Sequence, residues 1–323
     1  PNYLFYGCSG ITDIQLSPST ETIGECAFLN CASISQVVIP ETVTSIGGRA
    51  FGGCASLSTI YFNAINCVNV TTYEKNTPIP AFEGSAITTV YFGDKVKNLP
   101  DNAFSNCKNL HNISIPATVK QIGYKAFYNC SSLPSVTIPG EVTSIGGLAF
   151  AGCDNLTSLV FKAKRCTGVT KIENGVTLSA FQNCSSIKTV TIGDSVEILP
   201  EYMFQGCSGI TKLNIPRNVK KIGKHIFDGC QSLEHVDYNA EKAEIFTEPT
   251  EKRSIFTLPS LVSVTLGPDV KEIPAYAFSG CTRLAAVNIP VKTEVIGKFA
   301  FQGCAGLKKI VIPENVKNIG GGA

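Results

Sequence analysis

Apolar residues along the chain fall into one pattern that recurs from end to end, typified by Ile34 to Cys54, ISQVVIPETVTSIGGRAFGGC. One phenylalanine registers every copy: Phe5, Phe28, Phe51, Phe82, Phe104, Phe127, Phe150, Phe181, Phe204, Phe227, Phe256, Phe278 and Phe301. The step is 22 or 23 residues, apart from three steps of 31, 31 and 29. A fixed period of this size marks a repeat array in which each coil buries its apolar side chains only against its neighbours. The pattern predicts an α/β solenoid, a curved array of about thirteen coils with a parallel β-sheet on one face and short helical turns on the other.

Each coil divides into two stretches. Leu110, Ile113 and Ile115, like Leu133, Val136 and Ile138, show after the leading Leu the period-2 alternation of a half-buried strand. A proline follows, as at Pro40, Pro116 and Pro139, and ends strand pairing because it has no N–H to donate. The chain then crosses the opposite side through Val43-x-x-Ile46-Gly47. Ala50, Phe51 and Cys54, spaced i, i+1 and i+4, fit one face of a single helical turn. The residue before the column cysteine is Gly or Asn, from Gly7 and Asn30 to Gly303, with Leu258 the exception. Those two residue types tolerate the left-handed conformation that ends such a turn.

A one-dimensional array escapes the size limit of a single core, so residues 1–323 read as one solenoid domain on the order of 60 Å long at about 4.8 Å per coil. The chain enters mid-repeat at Pro1 to Phe5 and stops at Ala323, one residue before the next expected Phe. An array needs capping units over its terminal apolar faces. The sequence therefore reads as part of a longer protein, uncapped at both ends.

Lys plus Arg number 27 and Asp plus Glu 25, a formal charge of +2 with no block of like charge. Nucleic acid, whose binding runs on phosphate neutralisation, is excluded as an expected partner. No apolar run has transmembrane length, so membrane insertion within this segment is not expected.

Eleven of the fourteen cysteines stand in the repeat column, among them Cys31, Cys54, Cys130 and Cys304; Cys26, Cys67 and Cys166 lie outside it. Spacings near 23 do not resemble zinc ligand pairs, and no metal or other cofactor is expected. Adjacent coils would bring column cysteines within Cα range of a disulfide. A parallel stack, however, keeps their Cβ atoms about 4.8 Å apart, wider than the roughly 3.8 Å a bridge prefers. Free buried thiols pointing at neighbouring carbonyls are the favoured reading.

The three histidines, His111, His225 and His235, form no catalytic pattern, and the chain reads as non-enzymatic. The three long steps carry related insertions after the strand, beginning at Tyr61, Phe161 and Tyr238, which read as surface loops and candidates for recognition. On the exposed column of the sheet, Val38, Tyr61 and Tyr91 are consecutive and form its one aromatic patch. Exposed aromatics on a rigid sheet bring large contact area at low entropy cost, which makes these three the candidate partner-binding residues.

The unit Ile-Pro-x-x-Val-x-x-Ile-Gly-x-x-Ala-Phe-x-x-Cys-x-x-Leu, as in Ile138-Pro139 through Leu156, resembles the BspA-like, treponemal-type leucine-rich repeat across essentially the whole chain. It departs from that pattern in the three long coils and at Leu258-Pro259. The resemblance implies a leucine-rich-repeat array from the surface of a host-associated microbe, linked to adhesion. Its expected partner is then a host extracellular-matrix or surface protein, or a glycan. A passive spacer displaying another domain, or an intracellular scaffold, is the alternative.

Overall fold

The period-2 segments form strands, because alternate side chains of an extended chain point to opposite faces and only one face can be buried in a stacked repeat. In the computed structural model of the chain, which describes residues 1–245, 256 and 258–323, these strands are parallel and in register from one repeat to the next. The residues divide into two units, one of Pro1–Leu156 with Thr170–Cys184 and the other of Thr157–Val169 with Ser185–Ala323.

In the first unit, Gln36–Ile39, Thr59–Phe62, Thr89–Phe92 and Asn112–Ser114 make a four-stranded parallel sheet. Val37, Ile60, Val90 and Ile113 align along one column, while Val38, Tyr61, Tyr91 and Ser114 align along the opposite face. Beyond the proline, two-residue strands Asn98–Leu99, Gln121–Ile122 and Ser144–Ile145 form a second, narrow parallel ladder. The sequence pattern did not announce that ladder.

The second unit repeats the arrangement. Lys212–Ile215, His235–Tyr238 and Ser263–Leu266 pair in parallel, and Glu272–Ile273, Val295–Ile296 and Asn318–Ile319 make a narrow ladder.

Between the ladders lies the phenylalanine column. Within the first unit its rings stack at centroid separations of 5.1 to 5.8 Å from Phe28 to Phe181. Phe51 and Phe82, 31 residues apart, stack at 5.5 Å, as closely as pairs on the short steps, so the insertion leaves the core spacing intact. In the second unit the rings from Phe204 to Phe301 stack at 5.2 to 6.0 Å.

The expected helical turns are corrected by the structure: no helix occurs among the described residues. Hydrogen bonding gives the reason. Ala27, Leu29 and Cys31 donate their N–H groups back to Gly24, Cys26 and Phe28, each three residues earlier. The alternate groups of Cys26, Phe28 and Asn30 donate outward to the carbonyls of Gly48, Ala50 and Gly52 in the next repeat, at 2.8 to 3.0 Å. An α-helix would use every such group internally and leave none to tie repeats together. Spacing of i, i+1 and i+4 cannot distinguish the two, because both put Ala50, Phe51 and Cys54 on the core side.

Left-handed residues accomplish the alternation. The Gly and Asn positions before the cysteine column have φ between 57° and 81°, from Asn129 to Gly229, as their residue types predict. Two residues before most of the column phenylalanines, though not before Phe82 and Phe181, where the hairpin strands end at Pro80 and Ser179, a second left-handed position holds Cys26, Arg49, Lys125, Leu148, Tyr202, His225 and others. These side chains make that conformation costly, about 1–3 kcal/mol each, and the outward N–H bond of the same residue offsets it, as from Cys26 to Gly48.

Close approach explains the Gly after each Ile. A Cβ on Gly146 would stand 2.3 Å from the backbone nitrogen of Tyr124 in the preceding repeat.

Phe127 is fully buried between two stacked rings, so Phe127→Ala should cost about 3–5 kcal/mol of unfolding free energy in a urea titration. Thr137→Ala, on the exposed side of a neighbouring strand, should stay within about 0.5 kcal/mol of the parent protein.

Candidate interaction face

The strand ladder places Val38 opposite Tyr61 and Tyr61 opposite Tyr91 on adjacent parallel strands. All three point away from the core, with 47, 37 and 47 per cent of their surface exposed. The two tyrosine rings lie nearly parallel, 18° apart, with centroids separated by 5.2 Å. Strand spacing sets that distance, since adjacent parallel strands stand about 4.8 Å apart. Their exposure follows from strand phase alone.

The other column on this face is Gln36, Thr59, Thr89 and Asn112. With Val38, Tyr61, Tyr91 and Ser114, these make up the outward side chains of the four-stranded sheet, and none of them is charged. The corresponding face of the second unit differs: Lys212 pairs with Asp237 at 2.8 Å, and His235 Nδ1 lies 2.6 Å from Ser263 Oγ.

Two of the three long steps are more ordered than the loops the sequence reading expected. Thr71–Glu74 pairs antiparallel with Thr77–Pro80, and Thr170–Glu173 with Val176–Ser179. Both turns have two residues with positive φ, Lys75 and Asn76 at 47° and 66°, Asn174 and Gly175 at 49° and 78°. That is the type I′ hairpin turn, whose twist matches the flanking strands. Asn174-Gly175 is its strongest sequence signal and could have been found by inspection. In the third long step, residues 246–255 lie outside the described residues.

Each hairpin lies against earlier repeats. Lys171 stands 3.6 Å from the ring centroid of Tyr124, whose hydroxyl donates to Glu173 at 3.0 Å. Burial, together with that carboxylate, pushes the Tyr124 phenol up to about 12. In the first hairpin Thr72 Oγ1 donates to Glu25, and Arg49 contacts Glu74 and Glu83.

The cysteine column is packed as the sequence reading expected. Cys54 Sγ donates to the Phe28 carbonyl at 3.2 Å, Cys130 to Phe104 at 3.2 Å and Cys153 to Phe127 at 3.3 Å. The same carbonyl of Phe28 also accepts the Cys31 N–H, so both its lone pairs are used. Burial pushes the thiols of Cys54, Cys107, Cys166, Cys184 and Cys230 up to about 12.

In the second unit, charged side chains concentrate after the strands. Arg217 bridges Glu241 and Asp269 at 3.0 and 2.9 Å, Lys271 pairs with Glu241, and Lys292 with Asp269. Hydrogen bonds from Lys271 and Arg217 hold the Glu241 carboxyl below its usual range.

The histidines make local contacts, His225 stacking on Tyr202 at 4.7 Å and meeting Asp228 at 2.8 Å. Among the described residues no three His, Cys, Asp or Glu side chains form a group that could hold a metal ion. No helix among them is long and apolar enough to cross a membrane.

A family model described as "BspA type Leucine rich repeat region (6 copies)" matches residues 1–79, 75–176, 167–249 and 250–323. Among solved structures, a leucine-rich repeat protein from Bacteroides ovatus ATCC 8483 is 23% identical with a TM-score of 0.53, over 99% of this chain and 77% of that one. A leucine rich cell surface protein from Faecalibacterium prausnitzii A2-165 is 24% identical with a TM-score of 0.33, over 94% and 83% of the two chains. The pneumococcal vaccine antigen PcpA is 16% identical with a TM-score of 0.35, over 93% and 79%. No curated protein matches the chain.

Thiol burial makes a direct prediction. In the folded protein at pH 8, dithionitrobenzoate should modify the exposed Cys8 rapidly and the half-buried Cys304 slowly, with the twelve buried thiols reacting only on denaturation. Alkali should destabilise the fold for the same reason. Unfolded thiols ionise near 9 and the buried Cys107 near 12, so its contribution is complete below pH 9 and is lost as pH rises toward 12. Each such thiol lowers stability by about 1.4 kcal/mol per pH unit in that window, measurable as a falling melting temperature.

Proposed function

Because the chain belongs to the BspA-type leucine-rich-repeat family, we propose that it is a non-catalytic interaction module of a cell surface, binding a protein or glycan partner through the face that carries Val38, Tyr61 and Tyr91. On this reading residues 1–323 are one solenoid of about thirteen coils. The repeat framework supplies rigidity and the outward strand positions supply recognition.

The observation that carries the reading is the stacked tyrosine pair. Two large aromatic rings left 37 and 47 per cent exposed on a hydrogen-bonded sheet present apolar area with little rotamer entropy to lose on binding. The association of such repeat arrays with surfaces of host-associated microbes supports the surface location. Nothing in the chain's chemistry points to catalysis.

A double variant, Tyr61→Ser with Tyr91→Ser, separates this function from a passive spacer. With folding checked by circular dichroism, the parent chain should bind saturably in a screen of extracellular-matrix proteins and mucin-type glycans, and the variant should bind at least about tenfold more weakly. A parent chain that binds nothing in such a screen, or a folded variant that binds as well as the parent, would leave the spacer as the better description.

A further inference from the structure

The tyrosine stack ends abruptly on one side. Val38 backs Tyr61, and Tyr61 backs Tyr91, but the residue opposite Tyr91 on the next strand is Ser114, whose side chain is too short to reach the ring. Among the described residues no ring or cation covers that second face of Tyr91. The result is a step: an open aromatic face, a low floor at Ser114, and room above the floor for one more ring at the strand spacing that already separates the two tyrosines.

The step is lined by neutral polar groups. Asn112 and Ser114 are exposed, and neither side chain has a hydrogen-bond partner among the described residues. Thr137, one repeat further, is exposed, short and likewise without a side-chain partner. Each of these side chains both donates and accepts. No outward side chain of the four-stranded sheet carries a charge, whereas the corresponding face of the second unit has its Lys212–Asp237 pair.

Deepening the function proposed above, on which this inference rests, we infer that the step between Tyr91 and Ser114 seats one ring of an uncharged saccharide. A pyranose has an apolar C–H face that can lie on an aromatic ring, and a rim of hydroxyls that both donate and accept. Tyr91 meets the first, and Asn112, Ser114 and Thr137 meet the second. A sialylated or sulfated glycan gains nothing here, because the sheet offers no cation to pair with its charge and would strip its hydration. An aromatic side chain from a protein would stack as well, but it would cover three neutral polar side chains while using at most one of them.

The inference is tested on the full chain by saturation-transfer NMR and calorimetry, with neutral hexose and N-acetylhexosamine tetrasaccharides and their sialylated and sulfated counterparts. Two variants accompany it. Tyr91→Ala removes the stacking face, and Ser114→Tyr fills the seat while leaving both native tyrosines in place. The seat predicts saturable binding of at least one neutral tetrasaccharide, with transfer concentrated on its ring C–H protons and affinity falling about tenfold or more in both variants. Its charged counterparts should bind more weakly.

Failure to bind any neutral saccharide overturns the inference, as does equal binding by Ser114→Tyr. If a matrix protein then binds in a manner that depends on Tyr61 and Tyr91, the interaction face stands and only its ligand class is wrong. If no partner of any class responds to those tyrosines, the interaction face falls with it.

Discussion

The structure depends on a division of labour among backbone N–H groups in the turns around most of the column phenylalanines. Alternate groups close the turn on itself, and the ones between reach the next repeat, as Phe28 does to Ala50 and Phe127 to Ala149. This third ladder, beside the two strand ladders, ties most successive repeats together within each unit. Stacking of the phenylalanine rings and burial of the thiols against phenylalanine carbonyls accompany it, while the strand ladder sets the interval between Tyr61 and Tyr91. Insertions are tolerated because they leave after the strand and return before the turn. The ring separation from Phe150 to Phe181 remains 5.1 Å across a 31-residue step.

Much of this was legible in the residues themselves. The phenylalanine period gave the repeat, the alternation around Val37 and Ile60 gave the strands, and Gly or Asn before the cysteine column gave one left-handed position. The second left-handed position was hidden because no side-chain type marks it: Cys26, Arg49, Leu148 and Tyr276 share only a backbone conformation. Missing it turned a spiral of linked turns into an expected helix. The narrow ladders at Gln121–Ile122 and its neighbours were likewise too short to carry a periodicity. Of the two described hairpins, the one at Asn174-Gly175 carried a readable signal, and the one at Lys75-Asn76 a weaker one.

The candidate face divides in the same way. Exposure of Val38, Tyr61 and Tyr91 follows from counting residues along a strand, and their adjacency from counting repeats. The open side of Tyr91 needs the register as well, since only pairing with Asn112–Ser114 puts a short residue beside that ring. A rigid repeat leaves its outward positions free to vary without disturbing the core. The contrast between the uncharged sheet of the first unit and the ion-paired faces of the second illustrates that freedom.

Residue-resolved amide hydrogen exchange tests the linkage of turns most directly. The amides of Phe51, Phe104 and Phe127, which donate to the following repeat, should exchange as slowly as those of Val37, Ile60 and Val90 in the strands. Fast exchange at these phenylalanines beside slow exchange in the strands would contradict the account. It would mean that the repeats are joined by their strands alone and that the turns only fill space.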